Sequence, residues 1–460
     1  MNAALYRTIW RWHFYAGLLV LPLVLVLSLS GALFLFKPQV ERWEERAFQG
    51  LPTAGAVTPA AQVGAALAAF PGAHFAAYRL PEREGDAAAV HLALPGGGMT
   101  DAFVSPQGRV LGSINPETRL IAFDRRLHGQ LLIGRNGSWL VELAASWAIV
   151  LIATGLYLWW PRGRGAAGVL WPRLSGGRRL FWRDLHAVTG FWVSGLALVL
   201  LFTGLPWADA WGSAFKAVRQ EFGLVKGVQD WTIGGKVVEA ADPHAEHDHT
   251  AMAMAMPHHH HGAALDPVML NVMVAEARIA RLAFPALVVP PGAPAGEGGH
   301  GKPAKGWVVK SETQNRPQRV TLRYDANGTL QSREDFATRH PIDQVIAYGV
   351  AWHEGQLFGW VNQAIGVITA LMLVTLVVSG TVLWWRRRQP GTLGAPPISA
   401  EPGRLRHWGG RALLVFLILW LPLFTASLLI VLLLDRLVLP FLPGVARWLG
   451  AGPRPAKYSA

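Results

Sequence analysis

Five long runs of apolar residues dominate the chain, and polar segments separate them. A helix needs about 20 consecutive apolar residues to cross roughly 30 Å of hydrocarbon, and each run reaches this length. The predicted spans are residues 14–36 (within an N-terminal segment 1–36), 138–160, 187–206, 360–385 and 411–434. The pattern therefore predicts an α-helical polytopic membrane protein with five spanning helices.

Two long polar segments, 37–137 and 207–359, lie between the spans and alternate in places like strands. Each also contains a stretch with helical patterning, at 60–70 and at 268–282. We therefore predict two small α+β modules built on one plan. The remaining segments are the short loops 161–186 and 386–410 and the C-terminal tail 435–460.

Composition agrees with a membrane protein, and the distribution of charge predicts its orientation. Hydrophobic residues make up 52% of the chain and charged residues 15%. The net charge is +13, and the Lys and Arg residues cluster beside the apolar runs, as signals of membrane topology do. No nucleic-acid-binding motif is present, so we predict no nucleic-acid partner. The two short loops contain Arg162, Arg164, Arg173, Arg178, Arg179 and Arg183, and Arg386, Arg387, Arg388, Arg404 and Arg406.

The positive-inside rule places these two loops and the N-terminus in the cytoplasm of a bacterial inner membrane. The modules 37–137 and 207–359 then face the periplasm. After an odd number of spans, the C-terminal tail is predicted to end outside as well.

The spans repeat as pairs with identical internal spacing. The first and third spans begin with a histidine, followed by a glycine at +4 and a Ser/Thr-Gly pair that ends at +18. The second and fourth spans follow a histidine, with a Ser/Thr-Gly pair that ends at +27 and a Trp-Trp pair at +31 and +32. These histidines are, in chain order, His13, His128, His186 and His353. A helix pair with its outer module has been duplicated.

The predicted topology gives each membrane face two histidines, His13 with His186 inside and His128 with His353 outside. Imidazoles near a bilayer are costly and usually functional, and two facing imidazoles are a ligand set of b-type haem in helix bundles. We predict two haem b groups in a four-helix bundle. Without cysteine, the chain can hold neither c-type haem nor thiolate clusters. Capping or interfacial histidines in an ordinary bundle are the alternative.

Residues near the histidines are candidates for supporting roles. Gly17 and Gly190, one turn from their histidines, would leave a gap for a porphyrin edge. The Ser/Thr-Gly pairs fall beside the histidines of neighbouring helices, where they would allow close packing. Arg125 and Arg126 could bind haem propionates at the outer pair.

Residues 242–261 form a low-complexity insertion rich in histidine and methionine. Imidazole and thioether ligands together suit copper, so both a metal-catching loop and a neutral low-complexity segment remain open. The candidate ligands are His244, His247, His249, Met252, Met254, Met256, His258, His259, His260 and His261. His407, ahead of the fifth span, is a weaker candidate for a haem ligand.

Several motifs together resemble the PepSY-associated transmembrane helix family, which includes inner-membrane reductases of iron–siderophore complexes. The resembling segments are 12–17, 103–112, 127–129, 154–162, 184–186 and 353–359. The resemblance implies outer PepSY modules, haem b bound between four helices, and a metalloreductase activity. Electrons would pass from a quinol or a cytoplasmic reductase to ferric complexes in the periplasm.

Two features depart from the family pattern, namely the fifth span and the His/Met insertion. They admit copper or another oxidised metal complex as the substrate. PepSY modules also resemble inhibitory or binding domains. The second hypothesis is therefore a non-redox envelope protein that binds a peptide or sequesters copper.

Overall fold

A computed structural model of the chain describes residues 3–161, 166–175, 177–224, 266–295, 303–398 and 408–451, with the backbone of 232–233 and 236–237. The chain divides into two compact units. The first, here called the helical unit, comprises Met1–Leu33, Arg126–Phe215 and Ala364–Ala460. The second, the sheet unit, comprises Phe34–Arg125 and Lys216–Gln363.

Helices account for most of the described structure. In chain order they are α1 (Ala3–Phe34), α2 (Lys37–Glu44), α3 (Pro59–Ala69), α4 (Leu120–Gln130), α5 (Arg135–Trp159), α6 (Gly177–Gly204), α7 (Asp209–Glu221), α8 (Pro267–Ile279), α9 (Pro341–His353), α10 (Trp360–Arg387), α11 (Trp408–Trp420), α12 (Pro422–Leu433) and α13 (Pro443–Trp448).

Within the described part of the chain, five helical segments are long and apolar enough to cross a membrane. They are Ala3–Phe34, Arg135–Trp159, Gly177–Trp207, Trp360–Arg387 and Pro422–Phe441. The prediction of a multi-pass membrane protein is therefore confirmed.

Two of the membrane-length helices begin well before the predicted spans. Helix α1 starts at Ala3 rather than at residue 14, and α6 starts at Gly177 rather than at 187. Hydropathy detects only the apolar part of a helix, whereas the polar turns ahead of it continue the same backbone hydrogen bonding. His13 and His186 consequently lie inside helices and not at their first residues.

The predicted fifth span, 411–434, is two helices in the structure, with a break at Leu421-Pro422. Proline has no backbone N–H, so the carbonyl of Ile418 loses its usual partner in the next turn. The hydroxyl of Thr425 donates to that carbonyl at 2.5 Å instead. This proline is the physical reason that α11 and α12 are separate.

The C-terminal tail returns to the end of the helical unit where α1 begins. The backbone N–H of Leu393, just after α10, donates to the carbonyl of Trp448 at 2.8 Å. Arg11 donates to the carbonyls of Pro396 and Gly450. The end of the tail therefore lies beside the beginning of α1 and the segment that follows α10.

We expect both termini to label from the same side of the membrane. The chain has no cysteine, so a single introduced cysteine is a unique probe. In vesicles of one orientation, a membrane-impermeant maleimide should reach Ala3→Cys and Ala451→Cys from one side. Ile133→Cys, at the opposite end of α5, should label from the other. Labelling of Ala451→Cys together with Ile133→Cys would contradict the return of the tail.

The sheet unit contains one antiparallel sheet of eight described strands in the order β10-β9-β8-β7-β1-β2-β3-β4. The strands are β1 (His74–Arg79), β2 (Ala88–Ala93), β3 (Met99–Val104), β4 (Val110–Ile114), β7 (Ala286–Val289), β8 (Val308–Ser311), β9 (Thr321–Tyr324) and β10 (Leu330–Glu334), and a separate hairpin has β5 (Thr232–Ile233) and β6 (Lys236–Val237).

The two predicted modules share this one sheet. The first strand that each module contributes to this sheet, β1 or β7, pairs with the other, with Tyr78 opposite Val288 and Arg79 opposite Leu287. Helices α3 and α8 pack together over the same core, and the N–H of Ala60 donates to Asn271 at 3.0 Å. Joining the modules through equivalent strands gives both access to a core larger than either could build alone.

Candidate functional site

His13 on α1 contacts α5 through a hydrogen bond between side chains. Its Nδ1 lies 2.9 Å from Oγ1 of Thr154, and that hydroxyl lies 2.8 Å from the carbonyl oxygen of Val150 in its own helix. A carbonyl oxygen can only accept, so the hydroxyl donates to Val150 and accepts from Nδ1–H. A neutral imidazole has one N–H, and its lone pair is therefore on Nε2.

The same arrangement occurs at two further histidines. The Nδ1 atom of His128 lies 2.9 Å from Oγ of Ser30, and that of His186 lies 3.1 Å from Oγ of Ser379. Each serine hydroxyl also donates to the carbonyl four residues earlier, at 2.8 and 2.7 Å respectively. All three imidazoles thus present the same nitrogen, Nε2, with a lone pair that can bind a metal.

A glycine follows each of these hydroxyl residues and lies against the histidine ring. A Cβ atom on Gly155 would lie 3.2 Å from Cε1 of His13, one on Gly31 would lie 3.1 Å from Cε1 of His128, and one on Gly380 would lie 3.4 Å from Cε1 of His186. A side chain would press on the ring at Gly155 and Gly31 and would be in direct contact with it at Gly380. The Ser/Thr-Gly pairs therefore allow the close packing that the repeat suggested, and they also supply the hydrogen bond.

Gly17 and Gly190 have more room than these three glycines. A Cβ atom on Gly17 would meet Leu151 at 3.9 Å, and one on Gly190 would meet Leu376 at 3.6 Å. Both are ordinary van der Waals distances, so the packing would accept a methyl group at either position. Space for a porphyrin edge at these two glycines stays a prediction.

His13 and His186 lie in the interior of the helical unit, close enough to interact electrostatically. Both rings lie deep among the helices, yet each keeps part of its surface accessible. This combination is expected of side chains that line a gap between helices. Two such imidazoles with Nε2 lone pairs are of the residue type that could hold the iron of one haem.

His128 reaches α1 because the chain breaks between its own helix and the next one. Helix α4 ends at Gln130, and Leu131 and Leu132 have left-handed φ angles of 47° and 61° before α5 begins. A Cβ atom on Gly137 would lie 1.7 Å from the carbonyl oxygen of Gln130, so only glycine fits there. The break explains why ten residues can separate His128 from its predicted span.

The second repeat has the corresponding break. Helix α9 ends at His353, which belongs to the sheet unit, and α10 begins at Trp360. Gly355 and Gly359 lie between them with φ angles of 74° and 58°. Both halves of the chain therefore carry a histidine near the end of a helix that stops short of the following span.

The arginines near the predicted ligand histidines differ in their surroundings. Arg125 and Arg126, the candidates for propionate binding, are exposed on α4. At the inner pair, Arg11 bonds the C-terminal tail, and Arg183 pairs with buried Asp184 at 2.9 Å. The inner arginines therefore have structural roles that positive-inside bias alone did not reveal.

The first tryptophan of each Trp-Trp pair also has a structural role. The indole N–H of Trp159 donates to the carbonyl of Val169 at 3.1 Å, and that of Trp384 donates to Leu393 at 2.9 Å. The second members, Trp160 and Trp385, are each 65% exposed. Only the second tryptophans thus have the exposure expected of interfacial anchors.

Asp124 is a buried carboxylic acid that the sequence analysis did not single out. It lies one helical turn before His128 on α4, only 2% of its surface is exposed, and its Oδ2 has no hydrogen-bond partner among the described residues. Burial raises the pKa of its carboxyl to about 6. The second half of the repeat has no acid at the equivalent position, where Gly349 precedes His353 by four residues. This difference between the halves is the feature of the sequence that could have singled out Asp124.

We expect Asp124→Asn to stabilise the protein in a pH-dependent way. The raised pKa means that the native state loses stability as pH rises from the ordinary value of 3.8 through about 6. The penalty above this window is on the order of 1–3 kcal/mol, and the amide should remove it. The variant should therefore unfold at a higher temperature than the wild type at about pH 7.5, but at a similar temperature at about pH 4. Exposed Glu84→Gln is the control, and an equal gain at both pH values would contradict the assignment.

Several sequence candidates lie outside the described residues. They are His407 and the His/Met insertion, with His244, His247, His249, Met252, Met254, Met256, His258, His259, His260 and His261.

The fold and the site together define a multi-pass membrane protein with a duplicated plan and histidines held inside its helical unit. The sequence matches the family described as PepSY-associated TM region over residues 10–387, and the chain belongs to that family. No curated protein matches the sequence.

Proposed function

We propose that the protein is a transmembrane electron-transfer protein with two b-type haems. The inner haem would be bound by His13 and His186. The repeat in the sequence assigns the outer haem to His128 and His353. The observation that carries the proposal is the shared Nδ1-to-hydroxyl hydrogen bond, which leaves Nε2 as the ligand nitrogen at three histidines. Interfacial or capping histidines have no need of one common tautomer.

Bound haem would supply a one-electron couple, and ligation of its iron by two imidazoles would favour electron transfer over oxygen chemistry. The chain's own residues have three tasks. The histidines bind through Nε2, the Ser and Thr hydroxyls hold the rings, and the apolar helices keep water away. Low polarity around the site makes each of these hydrogen bonds stronger than it would be in water.

The electron acceptor that we propose is a ferric siderophore or another oxidised metal complex at the periplasmic face of the bacterial inner membrane. A quinol or a cytoplasmic reductase would be the donor. Membership of the PepSY-associated TM family supports this assignment, and the arginine-rich loops support the orientation. Each turnover of a haem would pass one electron, reducing Fe(III) to Fe(II).

Anaerobic mixing tests this function. The full-length protein is reduced, the excess reductant is removed, and a ferric siderophore is added while the haem spectrum is followed. The expected result is oxidation of the haem, with one Fe(II) formed per haem oxidised and trapped by a ferrous chelator. If neither ferric nor cupric complexes oxidise the haem, the result contradicts the assigned substrate class.

Deletion of residues 242–261 separates this function from the non-redox alternative. A reductase should still pass electrons to the ferric complex, because its haem ligands are elsewhere in the chain. A protein that only sequesters copper should lose its function with the insertion. Copper binding by equilibrium dialysis and the mixing experiment, performed on the same deletion variant, distinguish the two.

A further inference from the structure

Each described Ser/Thr-Gly pair at a histidine does more than allow close packing. We propose that Thr154, Ser30 and Ser379 are positioning residues that set the ligand tautomer of their histidines and lower the reduction potential of the haem iron. This inference rests on the proposed function, because it concerns the same ligands. It assigns roles to three side chains that bind no metal themselves.

The direction of the hydrogen bond follows from the partners of each hydroxyl. Thr154 donates to the carbonyls of its own helix, Val150 at 2.8 Å and Leu151 at 3.1 Å, and so offers its oxygen lone pairs to His13. With the hydroxyl proton in these bonds, Nδ1 carries the ring proton. In the opposite tautomer the hydroxyl would have to give up its bonds to the helix carbonyls in order to donate to Nδ1, and the loss of one such hydrogen bond costs about 0.5–1.5 kcal/mol.

The ring is also held mechanically. For His13, the hydroxyl lies 2.9 Å from Nδ1, and Gly155 faces Cε1, since a Cβ atom added there would lie 3.2 Å from it. Two adjacent residues of α5 therefore fix two adjacent atoms of the imidazole. Rotation about χ2 would break the hydrogen bond to Thr154, so Nε2 keeps one direction.

Helix α1 has both parts of this arrangement. Its histidine, His13, is held by Thr154 of α5, and its own Ser30 holds His128 of α4. The repeat places Thr203 of α6 at the register of Ser30, and its hydroxyl likewise donates to the carbonyl four residues earlier, Val199, at 2.8 Å. The hydroxyl is thus as much a part of the duplicated plan as the histidine.

An acceptor at Nδ1–H increases the basicity of Nε2, as partners of metal-bound histidines generally do. A more basic ligand stabilises Fe(III) more than Fe(II). The reduction potential is therefore lower with the hydroxyl present than without it. A lower potential makes the haem a stronger reductant toward the acceptor.

The test compares Thr154→Val, which keeps the shape but removes the hydroxyl, with Thr154→Ser, which restores it. Thr369→Val is the matched control, because Thr369 is buried on α10 and donates to the carbonyl of Ile365, with no hydrogen bond to a histidine among the described residues. Redox titration of the haem-loaded protein should show a higher midpoint potential for one haem in Thr154→Val. Haem affinity at that site should fall about 10- to 100-fold, with Thr154→Ser and Thr369→Val close to wild type.

A second readout needs no haem. In the haem-free full-length protein with ¹⁵N-labelled histidine, NMR should report the Nδ1–H tautomer for His13 in the wild type and in Thr154→Ser. Thr154→Val should shift it toward Nε2–H. If Thr154→Val loses haem altogether, this measurement alone decides the role of the hydroxyl.

The outcomes separate the two levels of the proposal. An unchanged midpoint potential and an unchanged tautomer in Thr154→Val, with the b-type spectrum intact, would overturn the positioning role and leave the electron-transfer function standing. A wild-type protein that binds no haem would overturn the function itself. Ser379→Ala repeats the test at His186 if Thr154→Val does not fold.

Discussion

Replacing His186 with alanine is expected to remove about half of the bound haem, because the inner iron would lose one of its two axial ligands. His186 and His13 lie together inside the helical unit, and both present Nε2 through the same hydrogen-bonding pattern. Haem content per chain, measured as the pyridine haemochrome of the purified protein, gives the result. The remaining spectrum should be that of the outer haem alone.

The double variant makes this prediction sharper. If His13 and His186 bind the same iron, His13→Ala should cause the same loss, and the double variant should lose no more than either single one. His74→Ala is the control, since His74 is an exposed residue of β1. A double variant that loses all haem, when each single variant loses half, would mean that the two histidines serve different irons.

Replacing Gly155 with leucine is expected to have nearly as large an effect without removing a ligand. A Cβ atom there would already lie 3.2 Å from Cε1 of His13, and the branches of leucine would take up the position of the ring. The imidazole would have to turn away from Thr154, and overpacking of this kind commonly costs about 1–3 kcal/mol. The inner haem should therefore be lost while the helix content, measured by circular dichroism, is retained.

Gly195→Leu is the matched control for Gly155→Leu. Gly195 also lies in a membrane-length helix, α6, but a Cβ atom there would have nothing within 4 Å. We expect wild-type haem content in this variant. Full haem content in Gly155→Leu as well would show that the packing of His13 against α5 does not matter for binding.

Hydropathy was sufficient to predict the membrane class, because burial in lipid demands long apolar runs whatever the tertiary contacts are. The repeat also placed the Ser/Thr-Gly pairs beside the histidines. It did not reveal the hydrogen bond from Nδ1 of His13 to Thr154. Spacing fixes which residues face each other on neighbouring helices, whereas the direction of a hydrogen bond depends on atomic positions and on competing acceptors such as Val150.

The shared sheet could not be predicted from the pattern of strands. Neither β1 nor β7 alternates clearly between apolar and polar residues, and no local pattern shows which strand edges pair when the strands are about two hundred residues apart. The break at Pro422 was visible in the sequence, because proline commonly ends or kinks a helix. The return of the tail to Arg11 was not, since it depends on contacts distant in sequence.

Haem content of the wild-type protein is the most direct test of the proposed function. The full-length protein is purified in detergent, its dithionite-reduced minus oxidised spectrum is recorded, and its haem is quantified against protein concentration. The proposed ligands predict a b-type spectrum with two haems per chain and a low-spin bis-imidazole signal in electron paramagnetic resonance. A protein that binds no haem, even after growth and purification with added haem, would contradict it.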